Sequence, residues 1–368
     1  MDWDAIIVGA GPAGSALACR LRPRYRVLLL DRQAPLASAT RIGESLPGAA
    51  RVLLQQIGIF DRFLAGGHVE RSATVSAWDG EAPVWFDHLR DPNGPGWHLD
   101  RAHFDRCLRA AAVEAGAVLV EPCGRLLVSH VAGGWQVALD ELGQIQNAPV
   151  LVDATGRYAA VARQIGLPRR VDDELICLHA YLPADPGDDD RCTRICADGG
   201  GWWYSVRVPS GQRVLAYHLD ADDPELRSLR APAHLLAKAQ RQPLLAGVLP
   251  RHLDVPVHAR PAGSAVLDAD AMRDAPGFFA IGDAVQAFDP IASQGLFNAL
   301  ASAESAAEAI ERHDADPASG HRAYLAEMSA VSARYRQHLH ATYAGVARHR
   351  HRRFWSRRLG TGENTGAT

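Results

Sequence analysis

The sequence predicts an α/β fold with one domain on a parallel sheet, an inserted domain on an antiparallel sheet, and a run of C-terminal helices. The first 31 residues contain an apolar strand, a glycine-rich turn, a helix and a second apolar strand, which is the order expected of a parallel sheet. Between residues 172 and 268 the pattern changes to short strands separated by turns, which is typical of an antiparallel sheet. After a last apolar strand at 278–281, helical periodicity continues towards the C-terminus.

The individual elements follow from hydrophobic periodicity and turn residues. Strands are predicted at 5–8, 26–30, 117–120, 150–153, 193–195, 202–208, 214–219 and 278–281, with two more within 125–139, and helices at 15–21, 48–66, 101–115 and 232–240. The first domain is therefore predicted to be discontinuous, with residues 1–60, 98–170 and 260–310. The inserted domain would contain residues 61–97 and 171–259. C-terminal helices over 311–358 and a frayed tail over 359–368 would complete the chain.

Length and composition are those of a globular protein with two or more domains. The chain has 368 residues, of which 47% are hydrophobic and 22% charged, and this excludes a disordered chain. The net charge of -3 gives no general attraction to nucleic acid, and no apolar run approaches the roughly 20 residues that span a bilayer. The six cysteines lack zinc-type spacing, so no metal site is predicted. Because an apolar strand follows the N-terminus without a charged leader, we expect a cytoplasmic protein.

The glycine-rich turn indicates a dinucleotide site. Gly9, Gly11 and Gly14 have the G-x-G-x-x-G spacing, which provides a tight turn, close backbone approach to a pyrophosphate, and close helix–strand packing in a Rossmann-like domain. The N-terminus of the following helix adds free N–H groups for the anion. Asp31 ends the next strand, where a carboxylate can accept hydrogen bonds from an adenosine ribose.

Two later segments extend this pattern. Asp153 and Gly156 end one apolar strand, and Gly282 and Asp283 end another, with Asp283 placed to bond a polyol chain. The three motifs, in this order and spacing, resemble the FAD-dependent monooxygenases of the p-hydroxybenzoate hydroxylase superfamily. The resemblance implies a Rossmann-like FAD-binding domain of the p-hydroxybenzoate hydroxylase or glutathione reductase type. In that family the segment matching 282–283 holds the ribityl chain and pyrophosphate, and the segment matching 289–296 runs beside the isoalloxazine.

The resemblance also implies a set of site residues. The expected cofactor-binding residues are Gly9, Gly11, Gly14, Asp31, Arg32, Arg41, Ser45, Arg101, Asp153, Gly156, Gly282, Asp283, Gln294, Gly295 and Leu296. The candidate catalytic residues are Glu44, His98 and Pro290, and the candidate substrate-pocket residues are Trp97, Trp202, Trp203 and Tyr204. For the histidine and the large aromatic residues a purely structural role is the competing interpretation.

Four shorter segments narrow the resemblance to two groups within this superfamily. Residues 41–47 and 96–101 resemble segments of tryptophan halogenases, whereas residues 201–205 and 354–358 are more similar to the flavoprotein maturases of cysteine tryptophylquinone oxidases, such as the glycine oxidase and lysine ε-oxidase maturases. This implies hydroxylation of a tryptophan side chain in a partner precursor protein through a flavin C4a-hydroperoxide, with O2 as co-substrate. With one G-x-G-x-x-G motif, the electron donor stays open between NAD(P)H and a separate reductase. The oligomeric state also stays open.

Other functions compete with this hypothesis. Flavin halogenases need a tunnel lysine, but the single lysine, Lys238, lies well past that region of the chain, and residues 202–207 depart from the halogenase W-x-W-x-I-P signature. The alternatives that remain are a small-molecule indole or phenol hydroxylase, a saturating reductase of the geranylgeranyl type, and an FAD-containing chaperone without turnover. The basic segment 348–358 is either a solvated surface or a docking surface for an acidic precursor.

Overall fold

The structure is a computed structural model that describes residues 2–22, 24–32, 42–140, 143–185, 187–252, 254–313 and 316–360. Its strands are β1 (Ala5–Val8), β2 (Val27–Leu30), β3 (Ser45–Leu46), β4 (Val69–Glu70), β5 (Ala73–Ala77), β6 (Val84–Asp87), β7 (Trp97–His98), β8 (Val118–Val120), β9 (Leu126–Val131), β10 (Gly134–Leu139), β11 (Gln144–Ala148), β12 (Val150–Asp153), β13 (Arg169–Val171), β14 (Leu175–Pro183), β15 (Thr193–Asp198), β16 (Gly201–Arg207), β17 (Gln212–Asp220), β18 (His258–Pro261), β19 (Ala265–Leu267), β20 (Phe278–Ala280) and β21 (Gln286–Ala287).

The α-helices are α1 (Pro12–Leu21), α2 (Ala50–Gln56), α3 (Phe60–Leu64), α4 (Arg101–Glu114), α5 (Ala160–Gln164), α6 (Leu226–Leu229), α7 (Pro232–Ala239), α8 (Pro243–Ala246), α9 (Ala269–Arg273), α10 (Gly295–His313), α11 (Pro317–Ala344) and α12 (Arg353–Arg358). In the described ranges, none of these helices is long and apolar enough to cross a membrane.

The first compact unit comprises residues 1–67, 101–172 and 264–333. Its main sheet has five parallel strands in the order β20-β12-β1-β2-β8. Every residue of β1, β2 and β12 is buried, which is the pattern of a parallel sheet covered on both faces. Arg20 of α1 forms ion pairs with Glu304 and Glu311 of α10, both at 2.9 Å, and these pairs fix the two helices together.

The second compact unit comprises residues 68–100, 173–263 and 334–368. It contains a seven-stranded sheet in the order β18-β14-β17-β16-β15-β5-β6, antiparallel except for the pair β15–β5. One face of this sheet packs on an apolar core that includes Leu235 and Ala239 of α7 and Leu245 of α8. We call this face the helix side.

The predicted fold class is confirmed, and two local features differ from the prediction. The helix predicted over 48–66 is two helices, because Gly58 adopts a φ of +75° between them. Strand β14 was not predicted, since burial of most of its residues removes the alternation that marks an exposed antiparallel strand. Helix α11 is divided between the two compact units after Ala333.

Candidate active site

The glycines of the first loop, residues 9–14, differ in how much space surrounds them. A Cβ added to Gly9, whose φ is +109°, would lie 2.3 Å from the carbonyl oxygen of Ala154, and one added to Gly14 would lie 1.9 Å from the oxygen of Gly9. Both positions therefore require glycine for packing. A Cβ on Gly11 would meet no atom within 4 Å. Gly11 thus leaves a cradle beside the backbone that a side chain would fill.

The N-terminus of α1 opens onto this cradle. Gly11 is its N-cap, no side chain caps the helix, and Pro12 occupies the first turn. The N–H groups of the first turn and the positive end of the helix dipole are therefore available to an anion such as a pyrophosphate.

Asp31 is fixed beside the same loop. Its Oδ2 accepts a hydrogen bond from the backbone N–H of Ala10 at 2.9 Å and lies 3.3 Å from Nη2 of Arg109. Arg109 also forms an ion pair with Glu121. Arg109 was not predicted, since it is 78 residues from Asp31 and only the packing of α4 brings it there. The neighbouring Arg32 is exposed, and Arg41 lies outside the described residues.

In the second loop, residues 153–157, the carboxylate of Asp153 accepts its hydrogen bonds from the protein itself. Its Oδ1 accepts hydrogen bonds from the backbone N–H and the hydroxyl of Thr155, at 2.9 and 2.6 Å, and its Oδ2 accepts one from the N–H of Ala162 at 2.9 Å. The side chain is fully buried, and burial raises its pKa against these hydrogen bonds. We expected Asp153 among the cofactor ligands, but the geometry gives it the role of shaping the loop. Gly156 follows with a φ of +71°.

The third loop, residues 281–284, packs directly on the first loop. A Cβ on Gly282, whose φ is +58°, would lie 2.9 Å from Cβ of Ala13, and the N–H of Gly282 donates to Oγ of Ser302 at 2.8 Å. The carboxylate of Asp283 accepts no hydrogen bond from the described residues. Burial raises the pKa of Asp283, while Arg157, Arg169 and Arg101 lower it. A half-buried carboxylate without a donor is suited to the hydroxyl groups of a polyol.

The segment after the third loop leads into α10. Asp289 is fully buried and accepts a hydrogen bond from the N–H of Ile291 at 2.9 Å, which caps the short turn that begins at Pro290. A Cβ on Gly295, the first residue of α10, would meet no atom within 4 Å. Of the remaining predicted residues, Gln294 is exposed and Leu296 is buried.

Arg101 holds the loop that precedes β3. Its Nη1 donates to the carbonyl oxygens of Ile42 and Gly43, at 3.0 and 2.9 Å, and it pairs with Asp105 one turn along α4. Glu44 is 1% exposed and its Oε2 accepts a hydrogen bond from the N–H of Gly43 at 3.0 Å. Ser45 follows in β3, half-buried. These contacts fix the loop, and the catalytic role of Glu44 remains a prediction.

In the second unit, the two adjacent tryptophans lie on opposite faces of the sheet. Trp203 is on the helix side, where its ring stacks on Tyr217 at 4.2 Å and its Nε1 donates to Asp198 at 2.9 Å. It is completely buried, so the structure places this predicted pocket residue in the core instead. Trp202 is on the other face, stacked on His218 at 3.6 Å, and its Nε1 donates to the hydroxyl of Tyr343 at 3.2 Å. It is 1% exposed, so this predicted pocket residue is also packed in the interior.

Register places a cluster of polar and aromatic side chains on that other face. Trp202 is opposite His218, and both Tyr204 and His179 are opposite Ala216, so all of these share one face. We call it the polar face. Burial lowers the pKa of His218 to about 3 and that of His179 to about 4. Both imidazoles are therefore neutral at physiological pH.

His98 and Trp97 lie in β7 and are both buried. Nε2 of His98 is 3.0 Å from Oγ1 of Thr193, whereas Nδ1 has no partner among the described residues. Burial, together with the positive charge of Arg71, lowers the pKa of His98 to about 3. A neutral buried imidazole fits the structural interpretation, and a catalytic role for His98 stays a prediction.

A family comparison decides the cofactor. The family described as FAD binding domain matches residues 2–337. The chain belongs to this FAD-binding family. The prediction of an FAD-dependent oxidoreductase is thereby confirmed, and the Gly11 cradle, the uncapped N-terminus of α1 and the carboxylate of Asp283 fit the pyrophosphate and ribityl chain of FAD.

Individual relatives agree with the family assignment. The chain is 27% identical to the putative FAD-dependent oxidoreductase LodB of Marinomonas mediterranea, over 97% of both chains. Its fold matches the peptidyl tryptophan dihydroxylase QhpG, essential for tryptophylquinone cofactor biogenesis, with a TM-score of 0.76 and 23% identity over 100% of this chain and 80% of that one. It also matches the flavin-dependent halogenase CmlS, with a TM-score of 0.80 and 22% identity over 97% of this chain and 68% of that one.

Proposed function

We propose that this FAD-dependent oxidoreductase oxygenates a tryptophan side chain in a partner precursor protein. The similarity to LodB over nearly the whole of both chains and the shared fold with QhpG, whose substrate is a peptidyl tryptophan, support the proposal. Bound FAD, once reduced by NAD(P)H or by a separate reductase, supplies the activation of O2 for transfer of oxygen to an electron-rich ring.

The position of the only lysine favours oxygenation over halogenation. Lys238 lies in α7, where its Nζ is 2.6 Å from Oε2 of Glu225 and 5.3 Å from the ring centre of Tyr217. Tyr217 belongs to the helix side of the sheet. The polar face therefore carries no lysine, and the tunnel lysine that the halogenase resemblance requires has no counterpart here. This is the observation that carries the proposal against the halogenase alternative.

The proposed contact with an aromatic substrate lies at Tyr204. Its side chain is half-buried and can supply aromatic surface, whereas Trp202, His179 and His218 are each 1% exposed and belong to the packed interior of the polar face. The proposed work of Tyr204 is to bind the indole and to orient it.

The proposal is tested by mass spectrometry. The holoenzyme is incubated with O2, NAD(P)H and a flavin reductase, and is separately offered the precursor of a quinone-cofactor oxidase, free tryptophan, a simple phenol, and tryptophan with chloride or bromide. We expect the precursor alone to gain the mass of one or two oxygen atoms, at a tryptophan residue. The Gly11→Val variant, which is expected to lack FAD, is the control.

Other outcomes would replace the proposal. Efficient oxygenation of tryptophan or phenol with an unmodified precursor would identify a small-molecule hydroxylase. A halogenated product would contradict the argument from Lys238. A stable complex with the precursor that consumes no O2 would indicate a chaperone.

A further inference from the structure

One arginine connects two FAD loops that are far apart in the sequence. Arg169 donates from Nη2 to the carbonyl oxygen of Asp283 at 2.8 Å, and from Nη1 to the carbonyl oxygen of Arg157. Arg157 belongs to the second loop and Asp283 to the third. Separations of 12 and 114 residues along the chain mean that only the tertiary structure produces this bridge.

The position of Arg169 is set by a small sheet of the first unit. Strand β13 pairs with β19, where Arg169 is opposite Leu267, and β19 pairs with β21 immediately after the third loop. Arg157 extends the arrangement, since its Nη2 donates to the carbonyl oxygen of Phe288 at 3.3 Å. The second loop, the third loop and the segment leading to Pro290 are therefore connected through two guanidinium groups.

The chemistry of the bridge depends on a planar fork. A guanidinium presents several N–H donors in fixed directions, so it can hold two carbonyl oxygens at a defined spacing, whereas an ammonium is a point charge on a flexible stem. Nε of Arg169 is buried and has no hydrogen-bond partner among the described residues. Removing this N–H group from water therefore costs free energy that no hydrogen bond returns. The charge of Arg169 also lies close to that of Arg157, which adds repulsion.

We propose that Arg169 is a positioning residue of the FAD site: its guanidinium fixes the spacing of the second and third loops and thereby aims the Asp283 carboxylate at the ribityl chain. The proposal rests on membership of the FAD-binding family and not on the proposed tryptophan substrate. A second effect follows from charge. Arg169 is one of three arginines that favour the ionised form of Asp283 against its burial, so it adds positive potential where the flavin binds.

Three variants separate the effect of the planar guanidinium from the effect of its positive charge. Arg169→Met removes both, Arg169→Lys keeps the charge without the fork, and Arg170→Met is the matched control. Arg170 is the next residue of β13, is exposed, and pairs with Asp172 at 2.7 Å. For each variant, the Kd for FAD is measured by titrating the apo-protein, and the midpoint potential of the bound flavin is measured by dye-coupled reduction.

We expect Arg169→Met to weaken FAD binding at least tenfold and to lower the flavin potential. Arg169→Lys should weaken binding by a smaller factor and leave the potential near that of the parent protein, because the charge is retained. Arg170→Met should change neither quantity. A residue that only stabilised the fold would not give this difference between binding and potential.

The proposal is overturned if both Arg169 variants bind FAD as tightly as Arg170→Met. If Arg169→Met does not fold, Arg169→Lys decides alone: parental affinity for FAD would overturn the proposal, and weakened affinity with a parental potential would support it. None of these outcomes depends on the substrate. A failed tryptophan oxygenation assay is therefore distinguishable from a failure here.

Discussion

Gly11 and Gly14 are three residues apart in one motif, yet the structure separates their roles. Gly14 is required by the fold because its Cβ position is 1.9 Å from a backbone oxygen, whereas the Cβ position of Gly11 is open. Gly11 also has an ordinary φ of -74°, so a side chain there causes no backbone strain. Glycine at position 11 is therefore needed for ligand binding and not for the fold.

This contrast gives the first prediction. Gly11→Val should abolish FAD binding, while the free energy of unfolding of the apo-protein falls by no more than about 1 kcal/mol, the loss expected from a poorer helix N-cap. Gly14→Ala should instead destabilise the apo-protein itself, because the clash is with backbone. Urea unfolding of both apo-variants and FAD titration test this. Stoichiometric FAD in Gly11→Val would contradict it.

Asp283 gives a prediction in which stability and binding change in opposite directions. Because burial raises its pKa in the folded state, the ionised side chain destabilises the fold, and this destabilisation appears as pH rises from the ordinary value of 3.8 through the raised folded-state pKa. Asp283→Asn should therefore stabilise the apo-protein at neutral pH, and the gain should vanish below 3.8. The same variant should bind FAD more weakly, by about 1–3 kcal/mol. Unfolding at several pH values and FAD titration provide the measurements, and a stability gain independent of pH would count against this assignment.

At the scale of elements, the seven-stranded sheet contrasts a packed central strand with an exposed edge. Strand β6 forms the edge, and its Val84, Trp85 and Phe86 are exposed by 56%, 61% and 56%. Trp203 of the central strand β16 is completely buried. An exposed apolar edge strand is a site for unwanted strand pairing.

Two tryptophan substitutions test this difference. Trp203→Ala should cost about 3–5 kcal/mol of folding free energy, since it leaves a cavity in the core. Trp85→Ala should change stability by no more than about 0.5 kcal/mol, and it should reduce association at high protein concentration. Chemical unfolding and light scattering measure the two effects. Equal losses of stability would show that β6 is packed in solution.

Helix α12 is held by arginines of different exposure. Arg357 is 42% exposed and pairs with Asp220 and Asp222, whereas Arg358 is 7% exposed and pairs with Asp220 and Asp173. Arg357→Met should cost about 0.2–1 kcal/mol and depend on salt. Arg358→Met should cost more than this and depend less on salt, because the two ion pairs that it removes are less exposed to solvent. Unfolding at low and high salt distinguishes the two, and equal costs would contradict the difference in burial.

For the whole molecule, the structure revises which basic residues could steer a partner. The segment 348–358 was predicted to be either a solvated surface or a docking surface, and its Arg353 and Arg357 pair with Asp222 of the same chain. Their charge is therefore largely compensated. Arg350 and Arg352 are exposed and have no ion pair among the described residues, so they remain available for long-range attraction.

We accordingly expect the double variant Arg350→Ser, Arg352→Ser to slow association with an acidic precursor protein, most strongly at low ionic strength. The matched control is Arg227→Ser, Arg230→Ser, which removes the same charge from another exposed part of the second unit. Stopped-flow or biosensor association rates at several salt concentrations give the measurement. Equal slowing by both pairs would mean that net charge, and not this segment, steers the partner.

The sequence by itself determined the FAD domain. The glycine spacing at 9–14, Asp31 at the end of β2 and Gly282–Asp283 after β20 are local patterns, and each depends on backbone conformations that a few adjacent residues specify. The parallel and antiparallel sheets were predictable for the same reason. The family match confirms this reading of the cofactor.

Only the tertiary structure decided what the individual polar side chains bind. Asp153 turned inward to cap its own loop, Trp203 entered the core, and Arg169 bridged two loops. Arg357 paired with Asp222, which is 135 residues away. Hydrogen bonds and ion pairs join atoms that are close in space, and the sequence contains no periodic signal for pairs so distant along the chain. Local spacing therefore predicted a dinucleotide site, and the family resemblance implied that the dinucleotide is FAD. Long-range packing decided which polar side chains bond within the protein.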